Sequence, residues 1–303
     1  MPSLRGPLSL PQTFDEIELN GRQSKFLVTD YTFGAKGTLL HTTASIFFAG
    51  TIGRRDVLFV FGDPDQSHEI SLILTGRGGK RTDNAHVRFS SAHDSAPQPH
   101  PREGATTITV HAGIAPGLAT IWDSDEQLIL FSDPVTAATF WSPPVRSPTE
   151  NTVHGLETFW QFRTNTTVLV GGPYLVRNAT IEHGTTLTLR GDLNASVPLT
   201  VVAPRSVRTV TWNGRPVAVR RDGRGVLWGR LKISKKVEEV RVPHLGENGW
   251  RFADSLPEIK SDFDDADWIV ADHTSTNITI GMAFGDGRAL YGAWMFSNVR
   301  RQD

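Results

Sequence analysis

The chain has 303 residues, 38% of them hydrophobic and 21% charged, with a formal net charge of −1. This length accommodates two or three domains, each with its own core. The balanced charge leaves no basic footprint for nucleic acid and no polybasic patch for a membrane surface. With no cysteine, disulfides and zinc–thiolate sites are excluded, and no apolar run approaches the roughly 20 residues that cross a bilayer as a helix.

With 28 Gly, 18 Pro and many Thr and Val, and no long stretch of Ala, Leu, Glu and Lys, the composition reads as all-β with frequent turns. The opening "MPSLRGPLSLPQTF" has no apolar core of signal-peptide length, so the chain as written carries no export signal. "KFLVTDYTF" alternates, with Phe26, Val28 and Asp30 on one face and Leu27, Thr29 and Tyr31 on the other. "DVLFVFGD" is a continuous apolar run stopped by Gly62-Asp63-Pro64 and reads as a strand buried on both faces. Residues 90–104, rich in Pro, Ser and charge, read as a loop.

"ATIWDSDEQLILFSD" reads as a hairpin whose polar turn is Asp123–Glu126. One helix follows in "SDPVTAATFW", with Asp133 as N-cap, Pro134 at the first helical position, then Ala137, Ala138 and Phe140. Pro143-Pro144 is expected to stop it, and residues 142–155 read as a surface loop. In "SVRTVTWNGRPVAVRRDG", Asn213-Gly214 suits the two positive φ angles of a type I′ turn. A two-residue loop there pairs Trp212 with Arg215 and Val210 with Val217, and puts Val210, Val217, Trp212 and Val219 on one core face. "KISKKVEEVRV" is a mixed-charge strand, read as a solvated edge. No repeat of solenoid period is present, and short strands with turns every 8–12 residues predict β-sandwiches.

Candidate chemistry is thin. Asp264, Asp265 and Asp267 crowd Trp268 in "LPEIKSDFDDADW". Turn aspartates bond nearby backbone N–H groups, so the cluster reads first as a turn opening a folding unit. Calcium binding and acid/base catalysis are the weaker alternatives, because hard cations need several convergent oxygens. "GDGR" (285–288) lacks the further ligands of a calcium loop, and "VGGP" (170–173) has neither the lysine nor the helix of a phosphate cradle. His93 and His100 lack ligand spacing, and no nucleophile elbow occurs. Trp122, Trp141, Trp160, Trp212, Trp250 and Trp268 could stack on sugars, but tryptophan at strand positions more often fills a core. The sequence therefore assigns no catalytic residue, no metal site and no cofactor. Four N-glycosylation acceptors, Asn165, Asn178, Asn194 and Asn277, point to a secreted, extracellular parent protein.

The segments "NGRQSKFLVTDY", "DVLFVFGDPDQSHEISL", "VGGPYLVRNATI", "VTWNGRPV" and "LPEIKSDFDDADW" occur in this order. Together they resemble the middle of the large multidomain fungal β-galactosidases of glycoside hydrolase family 35, from about residue 11 to about residue 291. The resemblance implies a second, antiparallel β-sandwich domain with one short helix over 1–175 and a small Ig-like, Greek-key sandwich third domain over 176–249. Over 250–303 it implies the truncated start of a jelly-roll fourth domain. The family's (β/α)8 barrel, which hydrolyses terminal β-galactosides with two glutamates, would precede these, and no position here matches either glutamate. Such a barrel takes about 250 residues with eight helices, which one short helix cannot supply. After "GDGRALYG" the tail "AWMFSNVRRQD" departs from the family, as a fragment or a truncated gene would. The resemblance thus implies a scaffold region without hydrolase activity of its own. Its partners would be the absent barrel and later jelly-rolls, with galactosides bound weakly if at all. The alternative is a freestanding carbohydrate-binding or adhesion module.

Overall fold

The structure is a computed structural model. It describes residue 3 and residues 7–91, 104–146, 167–222 and 225–233, together with the backbone of three later strands at 250–253, 269–271 and 289–292. The chain divides into two units, Met1–Ser234 and Lys235–Asp303.

The first unit opens with ten strands, β1 (Val28–Phe33), β2 (Gly37–Thr42), β3 (Ser45–Ile52), β4 (Arg55–Phe61), β5 (His68–Ile73), β6 (Lys80–Arg81), β7 (Val87–Ser91), β8 (Ala105–Val110), β9 (Ala119–Asp123) and β10 (Gln127–Ser132). They form two five-stranded sheets, β1-β2-β5-β8-β7 and β3-β4-β10-β9-β6. Between them lies a core that includes Phe33, Leu39, Leu58, Ile70, Ile108 and Ile129.

Helix α1 (Pro134–Ala137) leads into β11 (Phe140–Trp141), β12 (Val145–Arg146), β13 (Leu169–Gly171), β14 (Leu175–Glu182), β15 (Thr186–Asp192), β16 (Val197–Val202), β17 (Thr209–Trp212), β18 (Arg215–Val217), β19 (Val219–Arg221) and β20 (Leu227–Leu231). These strands build a second sandwich from the sheets β11-β13-β16-β20-β19 and β12-β14-β15-β17-β18. Its core includes Val170, Leu187, Leu189, Val201, Val210 and Trp212. In the second unit, β21 (Trp250–Ala253) pairs antiparallel with β22 (Ile269–Ala271) and β23 (Ala289–Gly292).

The expected double burial of "DVLFVF" holds, and its cause is the neighbouring sandwich. Leu58 and Val60 point into the first core. Val57 and Phe59 point the other way, into a third cluster with Leu128, Leu130, Phe140, Leu169 and Val202. Strand β10 alternates likewise, with Ile129 and Phe131 inward and Leu128 and Leu130 outward. β4 and β10 run parallel, a pairing suited to strands covered on both faces; the sequence reading expected an antiparallel sandwich there. β12–β14 and β15–β17 are also parallel, and no ring of strands closes among the described residues. The outward side chains form a joint between the sandwiches. It is centred on the Phe59 and Phe140 rings, 5.1 Å apart at 80°, with Phe47 5.0 Å from Phe59. Each large apolar side chain buried there contributes about 1.5–3 kcal/mol.

Local readings hold in part. Asn213 and Gly214 have φ of 48° and 78°, and the hairpin pairs Trp212 with Arg215 and Val210 with Val217 as expected. Val219 packs on the same core but belongs to the opposite sheet, because the chain crosses between sheets at Ala218. The β9–β10 hairpin forms with Ile129 opposite Trp122. In β1 the alternation breaks at Asp30, whose φ is 50°, and Phe26 is 84% exposed. Asp133 caps α1, accepting from Thr136 N at 2.9 Å. The helix ends at Ala137, well before the prolines, because Phe140 is drawn into a strand that fills the joint. Within 142–155, β12 stands where a loop was expected; residues 147–155, most of 90–104 and residues 234–242 of the mixed-charge strand lie outside the described residues.

Candidate functional site

Buried charge collects at one end of the joint. Arg55 opens β4 and is 2% exposed; Asp123, at the end of β9, is also buried. Arg55 Nη1 donates to Asp123 Oδ1 at 2.7 Å. From the second sandwich, Arg205 Nη2 donates to the same oxygen at 2.9 Å and to the Ser124 carbonyl at 2.8 Å. Arg221, closing β19, donates through Nη1 to the Gly225 carbonyl at 2.9 Å and through Nη2 to the Val207 carbonyl. Asp222 accepts from Val226 N at 2.8 Å and from Trp228 Nε1 at 3.3 Å. Burial pulls the Arg55 guanidinium below its ordinary value; Asp123 opposes this, while Arg205 and Arg221 add to it. Chemically this is an electrostatic latch: one carboxylate held by guanidiniums from both sandwiches.

Two further buried carboxylates organise the first sandwich. Asp56 accepts from the N–H groups of Ala35, Lys36 and Gly37, each at 2.7 Å, so β4 holds the β1–β2 turn of the facing sheet. Glu69, on β5, lies 2.6 Å from His41 Nε2 and accepts from Gln12 N, Thr13 N and Thr13 Oγ1. It thereby fastens the segment before β1 to the outer face of the sheet.

The residues singled out in the sequence do not converge. Asp264, Asp265, Asp267, Trp268, Trp160, His93, His100, Asn165, Asn277 and residues 285–288 lie outside the described residues, as does the Trp250 side chain. Trp212 fills the second core and Trp122 packs against the first. Trp141 is 36% exposed, and its indole Nε1 donates to the Pro173 carbonyl at 3.1 Å. In "VGGP", Gly172 has φ of 111°, and a Cβ there would lie 1.9 Å from the Pro198 carbonyl oxygen; the glycines serve strand packing. Asn178 is half-buried on β14, whereas Asn194 is exposed in the β15–β16 turn. Among the described residues no group of three metal-ligating side chains occurs, and no helix is long and apolar enough to cross a membrane.

Arg55, Asp123, Arg205 and Glu69 were not singled out from the sequence. The available signal was a charge set against an apolar strand, in "RRDVLFVF" and "SHEISLI".

Residues 1–140 match the family model "Beta-galactosidase, domain 2" and residues 141–228 match "Beta-galactosidase, domain 3". The chain is 32% identical over 276 residues to "Probable beta-galactosidase B" of Penicillium rubens, covering 89% of this chain and 24% of that protein. It is 32% identical over 273 residues to the protein of the same name in Emericella nidulans, covering 88% and 24%. It is 29% identical over 287 residues to "Beta-galactosidase A" of a Penicillium species, covering 91% and 26%. The chain thus spans about a quarter of the length of the curated relatives it matches. Its sandwiches, and the resemblance first read from "NGRQSKFLVTDY" and "VGGPYLVRNATI", are accounted for together: the chain belongs to the glycoside hydrolase family 35-type β-galactosidases and carries the non-catalytic domains 2 and 3.

Proposed function

We propose that these domains are a rigid scaffold in a secreted enzyme that hydrolyses terminal β-D-galactosides. They would brace a catalytic barrel and position later jelly-roll domains, with no turnover of their own. One observation carries this reading: the outer faces of β4 and β10 and those of β13 and β16 share a continuous apolar cluster. At about 1.5–3 kcal/mol per large side chain, such a joint rivals the 5–15 kcal/mol net stability of a whole domain. The two sandwiches then behave as one body able to transmit a fixed geometry. Thermal unfolding followed by calorimetry is expected to give one transition for both sandwiches, and o-nitrophenyl β-galactoside is expected to stay uncleaved. Two separated transitions would overturn the rigid connection. Turnover abolished by Asp265→Ala would overturn the non-catalytic reading.

A second reading, a carbohydrate-binding module, draws on Trp141 and Tyr174, 36% and 63% exposed and joined through the Trp141–Pro173 hydrogen bond. Calorimetric titration with lactose separates the two. A silent titration favours the scaffold, and heat lost in Trp141→Ala favours the module.

Secretion carries its own test. Asn194 presents its amide to solvent, whereas Asn178 is half-buried, with a buried Oδ1 that meets no hydrogen-bond donor among the described residues. When the chain is secreted from a eukaryotic host behind an added leader, mass spectrometry is expected to find glycan on Asn194 and none on Asn178. Glycan on Asn178 in folded protein would contradict this placement of the strand.

A further inference from the structure

The tripeptide Asn-Gly-Arg occurs twice at turns of the first unit: Asn20-Gly21-Arg22 before β1, and Asn213-Gly214-Arg215 between β17 and β18. In Asn-Gly the following backbone nitrogen readily reaches the asparagine side chain, because glycine has no Cβ to obstruct the approach. Exposure and space do not separate the two copies. Both asparagines are exposed, and a Cβ built on Gly21 or Gly214 would meet nothing within 4 Å. They differ in what holds the amide. Asn213 is clasped: its Oδ1 accepts from Gly191 N at 3.0 Å, its Nδ2 donates to the Gly191 carbonyl at 2.9 Å, and its own N–H donates to the Leu189 carbonyl at 2.9 Å. Among the described residues the Asn20 side-chain amide has one long, exposed contact, Nδ2 donating to Asp65 Oδ2 at 3.3 Å.

Asn20 also opens a clip. Gln23 N donates to the Asn20 carbonyl at 3.0 Å, closing a turn, and Asn20 N donates to Gln23 Oε1 at 3.1 Å. Gln23 Nε2 donates to Asp63 Oδ2, Gln66 Nε2 donates to Gln23 Oε1 at 2.9 Å, and Lys25 Nζ donates to Gln66 Oε1 at 2.7 Å. The segment before β1 is thus fastened to the loop between β4 and β5, with the Lys25 cation set among Asp63, Glu18 and Asp65.

We propose that Asn20 is a site of spontaneous modification, at which deamidation to aspartate and isoaspartate loosens this clip, whereas its clasp protects Asn213. Gly21 N, giving up its proton, bonds to Asn20 Cγ; the Cγ–Nδ2 bond breaks and the amide leaves as ammonia. Water then opens the cyclic imide at one carbonyl or the other, and no oxidant or cofactor is consumed. Either product replaces the amide donor by a negative charge near Asp65, where like charges repel. Isoaspartate also adds a methylene to the main chain inside the turn that Gln23 closes. This inference stands on the two turns and is independent of the scaffold reading.

The test uses the full chain, held at mildly alkaline pH either folded or in guanidinium chloride, with each asparagine followed by peptide mapping and mass spectrometry. In the folded chain Asn20 is expected to convert about 10-fold or more faster than Asn213, because only Asn213 must first break two well-formed side-chain hydrogen bonds. In denaturant the two rates should converge, since both turns are gone and the next two residues are the same at each site. Equal rates in the folded chain would overturn the proposal. So would a difference that persists in denaturant, which would belong to the flanking Leu19 and Trp212 and not to the fold. Hydrogen exchange at the Gln23 amide reads the clip. Its protection should fall about 10-fold as Asn20 converts, and should stay constant in Asn20→Gln, whose longer side chain closes its ring far more slowly. Protection at Gln23 that survives full conversion of Asn20 would overturn the loosening. None of these results alters the number of unfolding transitions on which the scaffold reading rests.

Discussion

Replacing Asp123 by alanine is expected to remove about 3–5 kcal/mol of unfolding free energy, the cost of leaving a buried charge without its partner. Asp123 Oδ1 is the acceptor shared by Arg55 and Arg205. Its loss strands the Arg55 guanidinium, which is 2% exposed and cannot rehydrate without opening the joint. Arg205 is different: its side chain is 48% exposed, so Arg205→Ala should cost about 1 kcal/mol or less. The double replacement Arg55→Met with Asp123→Leu should recover most of the loss, because an apolar pair of similar volume avoids the desolvation of both ions. Urea titrations of the four proteins check this. An Asp123→Ala variant within 1 kcal/mol of the parent would mean that water reaches the joint. A double variant as weak as the single one would mean that Asp123 acts through something other than Arg55.

The effect could not be foreseen from local sequence. "DSDE" reads as a solvated turn between two strands, and Ser124 and Asp123 are in fact buried. The difference arises because Arg205 arrives from 82 residues away and covers the turn. Features set by nearest neighbours were legible: the Asn213-Gly214 turn with its register, the Asp133 cap, and the burial of the apolar run of β4 on both faces. Features set by distant chain were not. The parallel β4–β10 pairing joins residues about seventy positions apart. Phe140 leaves the helical pattern because Phe47 and Phe59 offer it a ring-lined place at the joint. Even where the run "DVLFVF" correctly promised burial on both faces, its letters held no sign that the second face would be a neighbouring sandwich.

Glu69 yields the second large effect, and this one depends on pH. Its carboxylate is fully buried on the outer face of β5. Burial alone would push it up, but hydrogen bonds from His41, Thr13 and Gln12 outweigh that and hold it below its ordinary value of 4.5. A depressed native pKa means that the unfolded chain binds the proton more readily. The stabilisation is therefore complete above pH 4.5 and is lost as the pH falls through the lowered native value. Glu69→Gln keeps the size but replaces a charged acceptor of several donors by a neutral amide. It is expected to cost about 2–4 kcal/mol at pH 7, the range for charge-assisted hydrogen bonds and a broken buried pair. Below pH 4.5 the gap between the two proteins should narrow, because the parent loses what the variant never had. Hydrogen exchange supplies a local readout: the amides of Gln12 and Thr13, which donate to Glu69 at 2.9 and 2.7 Å, should lose protection in the variant while the core strands keep theirs. Stability curves that run parallel from pH 7 to pH 3 would show that Glu69 contributes no proton-linked stability. Unchanged protection at Gln12 and Thr13 would show that the segment before β1 is held by something other than this carboxylate.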